Sequence, residues 1–129
     1  MYTVNRIVVK RRVRHMRNGH SYTDEQTRAD MDLVGWAYRG PKYPRGTPLK
    51  LTVLAYSQMP KGRPKRFESE PFVKKPDIDN IVKCVMDGLN GVAYEDDSQV
   101  VEVVAQKMER KRGGGEWTKF AVEPLEGDR

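Results

Sequence analysis

Hydrophobic and polar positions along the chain alternate with two different periods, and each period predicts its own element. Val4, Ile7, Val8 and Val9 read as a first strand over 4–9 that runs into a basic segment, Lys10 to His20. Thr23-Asp24-Glu25-Gln26 is a capping-box pattern, in which side chains take up the free N–H groups of a first helical turn. It predicts a helix towards Tyr38 that buries Met31, Val34 and Tyr38 and stops at Gly40-Pro41. Leu49, Leu51, Val53 and Ala55 alternate within 47–59 and predict a half-buried strand. Residues 60–76 combine prolines, a glycine and clustered Lys and Arg, which predicts a mobile loop.

The clearest helix is 77–90. With Asp79 at zero and about 100° per residue, Ile81, Val82, Val85, Met86 and Leu89 fall between about 200° and 340°. Asp79, Asn80, Lys83, Asp87 and Asn90 fall between about 0° and 100°, so a core face opposes a compact polar strip. Cys84, at about 140°, reads as a small packing residue at the edge of the core face. Asn90-Gly91 supplies the stop. The valine-rich run 99–108 predicts a well-buried strand, and Gly113-Gly114-Gly115 a turn into a last strand over 117–122, with a frayed tail from 123. The fold class is α/β (α+β): one domain over 1–129, with a mixed β-sheet packed by two main helices.

Composition narrows the setting. A chain of 129 residues, 37% hydrophobic and 33% charged, builds one modest core that a partner subunit would help to bury. The apolar runs are a few residues long, against roughly 20 for a membrane-spanning helix, and the N-terminus carries no signal-peptide stretch. The single cysteine cannot form an internal disulfide, which predicts a reducing, cytoplasmic location. The net charge of +6 hides a division. Residues 1–23 hold Arg6, Lys10, Arg11, Arg12, Arg14 and Arg17 and no acid, and Lys61, Arg63, Lys65 and Arg66 follow later. Residues 68–102 reverse the sign, with nine acidic side chains against Lys74, Lys75 and Lys83. Basic arms around an acidic centre suit a polyanionic partner and a site that needs carboxylates.

The acids concentrate at Asp77 and Asp79, at the start of the helix, and at Asp96-Asp97 after it. Two like charges 4 Å apart repel by about 4 kcal/mol at an effective dielectric near 20, so such a cluster is unfavourable unless a cation binds. Mg²⁺, with Mn²⁺ as a substitute, takes a few carboxylates plus water and substrate phosphate. Taken singly, each residue has a plainer explanation. Asp77 or Asp79 can be an N-cap, Lys83 an ordinary i,i+4 partner of Asp79 or Asp87, and Asp96-Asp97 a polar turn. Taken together, with Lys83 on the same strip and basic arms nearby, they favour a metal site, with Asp87 structural or supporting. The EF-hand glycine and glutamate are missing, His15 and His20 lack the cysteine companions of a zinc site, and there is no Walker loop.

The stretch Lys75-Pro76-Asp77-x-Asp79-Asn80-x-x-Lys83-x-x-x-Asp87-x-Leu89-Asn90-Gly91, followed by Asp96-Asp97-x-Gln99-Val100-Val101, resembles the RusA-type endodeoxyribonucleases, Holliday-junction resolvases of bacteria and their prophages. Where that family often carries a Pro- and Asn-bearing loop after its first strand, this chain has Arg11-Arg12-Val13-Arg14-His15. The resemblance implies a homodimer that makes paired Mg²⁺-dependent nicks in four-way DNA. It implies Asp77, Asp79 and Asp97 as catalytic metal-site acids and Lys83 as the catalytic lysine. Lys10, Arg11, Arg12, Arg14, Arg17, Lys61, Arg63, Lys65 and Arg66 are the candidate DNA contacts, set against the plainer reading of a solvated charged face. Three other functions compete: an endonuclease of flaps or forks, a junction-binding protein that does not cut, and, poorly at this length, a sugar-nucleotide transferase using Asp-x-Asp.

Overall fold

In the computed structural model, residues 1–11, 14–15, 21–22 and 24–125 are described, with the backbone alone at 14, 15, 21 and 22. In chain order the elements are β1 (Tyr2–Val4), β2 (Arg14–His15), β3 (Ser21–Tyr22), α1 (Glu25–Ala37), β4 (Leu49–Tyr56) and β5 (Ser69–Glu70). They continue with α2 (Ile78–Leu89), a 3-10 turn (Asp97–Gln99), β6 (Val100–Lys107), β7 (Arg110–Lys111) and β8 (Trp117–Pro124). Strands β1, β8, β4 and β6 lie side by side in that order as one mixed sheet. β4 and β6 are parallel and the other neighbours antiparallel. A parallel pair needs a long crossover, and here the crossover carries α2.

The alternating apolar positions of β4 behave as predicted. Leu49, Leu51, Val53 and Ala55 are buried with Phe120 and Val122 of β8, against Val34 and Tyr38 of α1 and Ile81, Cys84, Val85 and Leu89 of α2. Asp24 begins α1: its Oδ1 accepts from the N–H groups of Gln26 at 2.8 Å and Thr27 at 3.2 Å. Thr23, the other half of the predicted capping box, lies outside the described residues. The two helices approach closely at Gly88, where an added Cβ would sit 2.7 Å from the carbonyl oxygen of Met31. Gly91, at φ +79, supplies the left-handed residue just past α2.

Several expectations are corrected. The first strand ends at Val4. From Ile7 onward the backbone is held by single tethers: Val8 N–H to Thr118 Oγ1, Val9 N–H to Asp30, Lys10 N–H to the Asn80 carbonyl and Arg11 N–H to Thr27 Oγ1. Apolar content alone could not separate this tether from a strand, because Val8 is fully buried in either case.

The valine-rich run forms β6, but it is an edge strand and not a buried one, with Val101, Val103 and Val104 exposed by 59%, 42% and 41%. The last strand does not stop at Val122. Glu123 and Pro124 pair with Lys50 and Leu49, and Leu125 N–H reaches the Pro48 carbonyl, so the expected fray at 123 is not seen there.

The loop over 60–76 is fastened at several points. The Arg112 guanidinium donates to the carbonyls of Pro64 (2.7 Å), Phe67 (2.8 Å) and Arg63 (3.3 Å), and β5 pairs with β7. Phe72 is buried beneath Lys107 and Arg110.

Candidate active site

The observed buried face of α2 is turned towards Cys84 relative to the predicted one. Ile81, Cys84, Val85 and Leu89 are buried, whereas Val82 and Met86 are only partly so. α1 accounts for the rotation, because its approach at Gly88 covers the Cys84 side of the helix. Val82 and Met86 are thereby left to line an open groove of about 280 Å³ with Asp79, Lys83, Asp87 and Asp97.

The groove brings together three of the four residues expected to carry the chemistry: Asp79, Lys83 and Asp97. Asp79 lies in the first turn of α2, where the positive end of the helix dipole favours a carboxylate. Among the described residues, neither Asp79 nor Asp97 has an ion-pair or hydrogen-bond partner for its side chain, and Lys83 makes no ion pair. The i,i+4 pairings that would make Lys83 an ordinary surface residue are therefore not formed. Asp87 is engaged from elsewhere, with Lys10 Nζ 2.6 Å from its Oδ2.

Asp77 stands apart from the groove lining. It occupies the N-cap position of α2, its side chain makes no capping hydrogen bond, and its carboxylate lies 3.3 Å from Lys75 Nζ. Asp96 has the plainer role. It caps the 3-10 turn, accepting from the Ser98 hydroxyl and from Ser98 N–H at 3.3 Å. Those bonds, the hydroxyl's first, hold its carboxyl below the ordinary value of 3.8.

Two residues that sequence reasoning gave no role fix Asp97 in place. Gln99 is buried; its Oε1 accepts from Glu95 and Asp96 N–H at 3.0 and 3.2 Å, and its Nε2 donates to the Pro44 and Thr47 carbonyls at 3.0 and 3.2 Å. It locks the Asp97 turn to the segment entering β4. Tyr94, fully buried, donates its hydroxyl to the Met86 carbonyl at 2.6 Å. Burial pushes its pKa up, and the Asp97, Asp87 and Asp96 carboxylates push it further. The signal for Gln99 was its place in the Asp-x-Gln motif; a buried amide needs about four partners, which marks it as a brace. Cys84 is the packing residue expected, its thiol pushed up to about 12 by burial and then by the Asp30 and Asp87 charges.

The basic candidates divide. Lys10 and Arg11 are turned inward, to Asp87 and to Asp30 at 3.1 Å. Asp30, fully buried, also lies 3.1 Å from Arg6, an acid centre that the sequence pattern did not disclose. Arg63 pairs with Glu70 at 2.8 Å. Lys61, Lys65 and Arg66 are exposed and have no acidic partner among the described residues. Arg12 and Arg17 lie outside the described residues, and Arg14 is described only by its backbone, opposite Tyr22.

The donor set decides what metal would fit. Among the described residues, no three acidic, His or Cys side chains converge as an all-protein cage. Two unpaired carboxylates on an open groove instead suit an ion such as Mg²⁺, which keeps several waters and binds through one or two carboxylates.

Comparison with known families gives the class: the family model described as endodeoxyribonuclease RusA matches residues 6–116, most of the chain. The chain belongs to the RusA family, whose model is described as an endodeoxyribonuclease. It is also 40% identical over 69 residues to the uncharacterized protein YqaN of Bacillus subtilis (strain 168). That alignment takes in 47% of this chain and 49% of YqaN, so the chain spans about half the length of this relative. Among the described residues no helix is long and apolar enough to cross a membrane.

Proposed function

We propose that this protein is a Mg²⁺-dependent endonuclease that resolves Holliday junctions by paired nicks and acts as a homodimer. The observation that carries the reading is the groove itself: Asp79, Lys83 and Asp97 meet on one open surface, without partners among the described residues, in a chain of the RusA family. A bound Mg²⁺, held by Asp79 and Asp97 with Asp77 joining on release from Lys75, would neutralise charge on the scissile phosphate and lower the pKa of a bound water.

The chain's own residues supply the rest. Lys83 presents an ammonium group to the same groove, where it stabilises negative charge building on the phosphate and the leaving oxygen. Gln99 and Tyr94 keep Asp97 from drifting, which matters because a misplacement of about 1 Å can cost about 100-fold in rate. Lys61, Lys65 and Arg66 are the exposed cations available to phosphate. Each phosphate they neutralise steepens the log–log salt dependence by about 0.9. Two equivalent sites related by a two-fold axis match the two opposed strands that a symmetric resolution must cut.

The test is cleavage of an end-labelled four-way junction beside linear duplex, flap and fork, in Mg²⁺ and in Mn²⁺, with Asp79→Asn as the paired control. Paired nicks in opposed strands, abolished by Asp79→Asn while junction binding persists, are expected. Binding without cutting by the wild-type protein in either metal would overturn the nuclease reading, and preferential cutting of flaps or forks would overturn the junction substrate.

A further inference from the structure

We infer that the outer edge of β6 is the surface through which a second copy of this chain joins, extending the four-stranded sheet across a two-fold axis. The inference deepens the proposed function, which calls for two active sites, and it rests on that reading for its purpose.

The argument starts from how unusual the edge is. β6 is eight residues long and pairs on one side only, with β4. Among the described residues its outer side accepts and donates no backbone hydrogen bond. Proteins blunt such edges with lysine, proline, bulges or short strands, because an open apolar edge recruits another strand. β6 has no proline, and between Val100 and Gln106 its one charged residue is Glu102. Val101, Val103 and Val104 are exposed on it, on both faces of the sheet. The opposite edge, β1, is three residues long, so one edge is built to pair and the other is not.

The composition of β6 favours its own copy as the occupant. An antiparallel pairing across a two-fold axis through Val104 sets Val104 against its own copy, Val103 against Ala105 and Glu102 against Gln106. Apolar residues meet apolar ones, the amide meets the carboxylate, and the two glutamates are kept apart. Both copies use the same strand, so the contact closes at two subunits and cannot propagate. A chain of net charge +6 repels its copy, and this strand is a stretch where the repulsion is least.

The test measures mass and cross-linking, neither of which requires cleavage. Wild type should sediment at twice the 14.9 kDa chain mass, and Val104→Lys, which puts like charges opposite each other, at the single-chain mass with an unchanged circular dichroism spectrum. Across paired strands Cα atoms are about 4.5–5.5 Å apart, within the range a disulfide spans. Oxidised Val104→Cys should therefore form a covalent dimer, and Thr3→Cys, exposed on β1 at the opposite edge of the sheet, should not. Monomeric wild type, a dimer that survives Val104→Lys, or equal cross-linking at 3 and 104 would each overturn the inference. A dimer that does not cut junctions would instead defeat the nuclease reading alone, and a monomer that cuts would defeat the β6 inference alone.

Discussion

Lys10 Nζ lies 2.6 Å from Asp87 Oδ2, joining the N-terminal basic segment to the helix that carries the acidic groove. Both side chains keep about a quarter of their surface, which places the pair between a screened surface bridge and a buried one. Asp87 is thereby neutralised beside Lys83, leaving the lysine free to face the groove. A double-mutant cycle with Lys10→Ala and Asp87→Ala should give a coupling of about 1 kcal/mol in urea unfolding. The pair should lose part of that coupling in 1 M salt. No coupling would mean that the contact is incidental and that Lys10 is free for phosphate.

Gln99 supports a second prediction. Replacing it with Ala strips two backbone N–H groups and two carbonyls of their partners in a buried site. The loss should be about 2–4 kcal/mol of unfolding free energy, since each unsatisfied buried group costs about 1–3 kcal/mol and part is recovered by water. Because the turn it braces carries Asp97, kcat should fall by more than stability alone explains, with junction affinity nearly unchanged. Single-turnover cleavage at a temperature where the variant is fully folded separates the two effects.

Much of this architecture was legible in the sequence, for identifiable reasons. β4 and α2 showed because each buries one face and exposes the other, so period and burial agree. The acids at 77, 79 and 96–97 and the lysine at 83 stood out by residue type and spacing. The family resemblance singled out Asp97 over Asp96, and the groove brings Asp79, Lys83 and Asp97 together. What hid was decided by neighbours. Val82 and Met86 have the same polarity as Val85, and only the approach of α1 at Gly88 determines that they line the groove. Val101 and Val103 are apolar because of where β6 sits in the sheet, not because the core covers them. The inward turn of Arg11 depends on Asp30, nineteen residues away in sequence and placed by a different element.

Asp96 gives a pH prediction whose sign follows from its cap. Hydrogen bonds from Ser98 lower its folded-state pKa beneath the ordinary 3.8. A depressed carboxyl pKa contributes stability that is present above 3.8 and is lost as pH falls through the folded value. In a carboxyl NMR titration Asp96 should therefore have its midpoint below 3.8, and Ser98→Ala should move that midpoint upward. Above pH 5 Asp96→Asn should leave cleavage within a few-fold of wild type, since asparagine also caps well. A loss as deep as that of Asp79→Asn would instead put Asp96 among the groove's working acids.

Gly88 supports the last prediction, because it is the point on which the shape of the groove depends. A Cβ built there would stand 2.7 Å from the Met31 carbonyl and 2.9 Å from Val34 Cβ, closer than packed atoms tolerate. Helix propensity favours Ala over Gly by about 1 kcal/mol, so intrinsic preference and packing pull in opposite directions. The atoms in the way are α1 backbone and a β-branched side chain, neither of which yields easily, so packing should win. Gly88→Ala should destabilise the fold by about 1–3 kcal/mol, the usual cost of overpacking. α2 must then move off α1, carrying Asp79 and Lys83 with it, while Gln99 holds the Asp97 turn to the segment entering β4. Cleavage should fall in Gly88→Ala even where the protein is fully folded. A neutral or stabilising Gly88→Ala would show that the helices have room to separate and that their close approach does not set the groove.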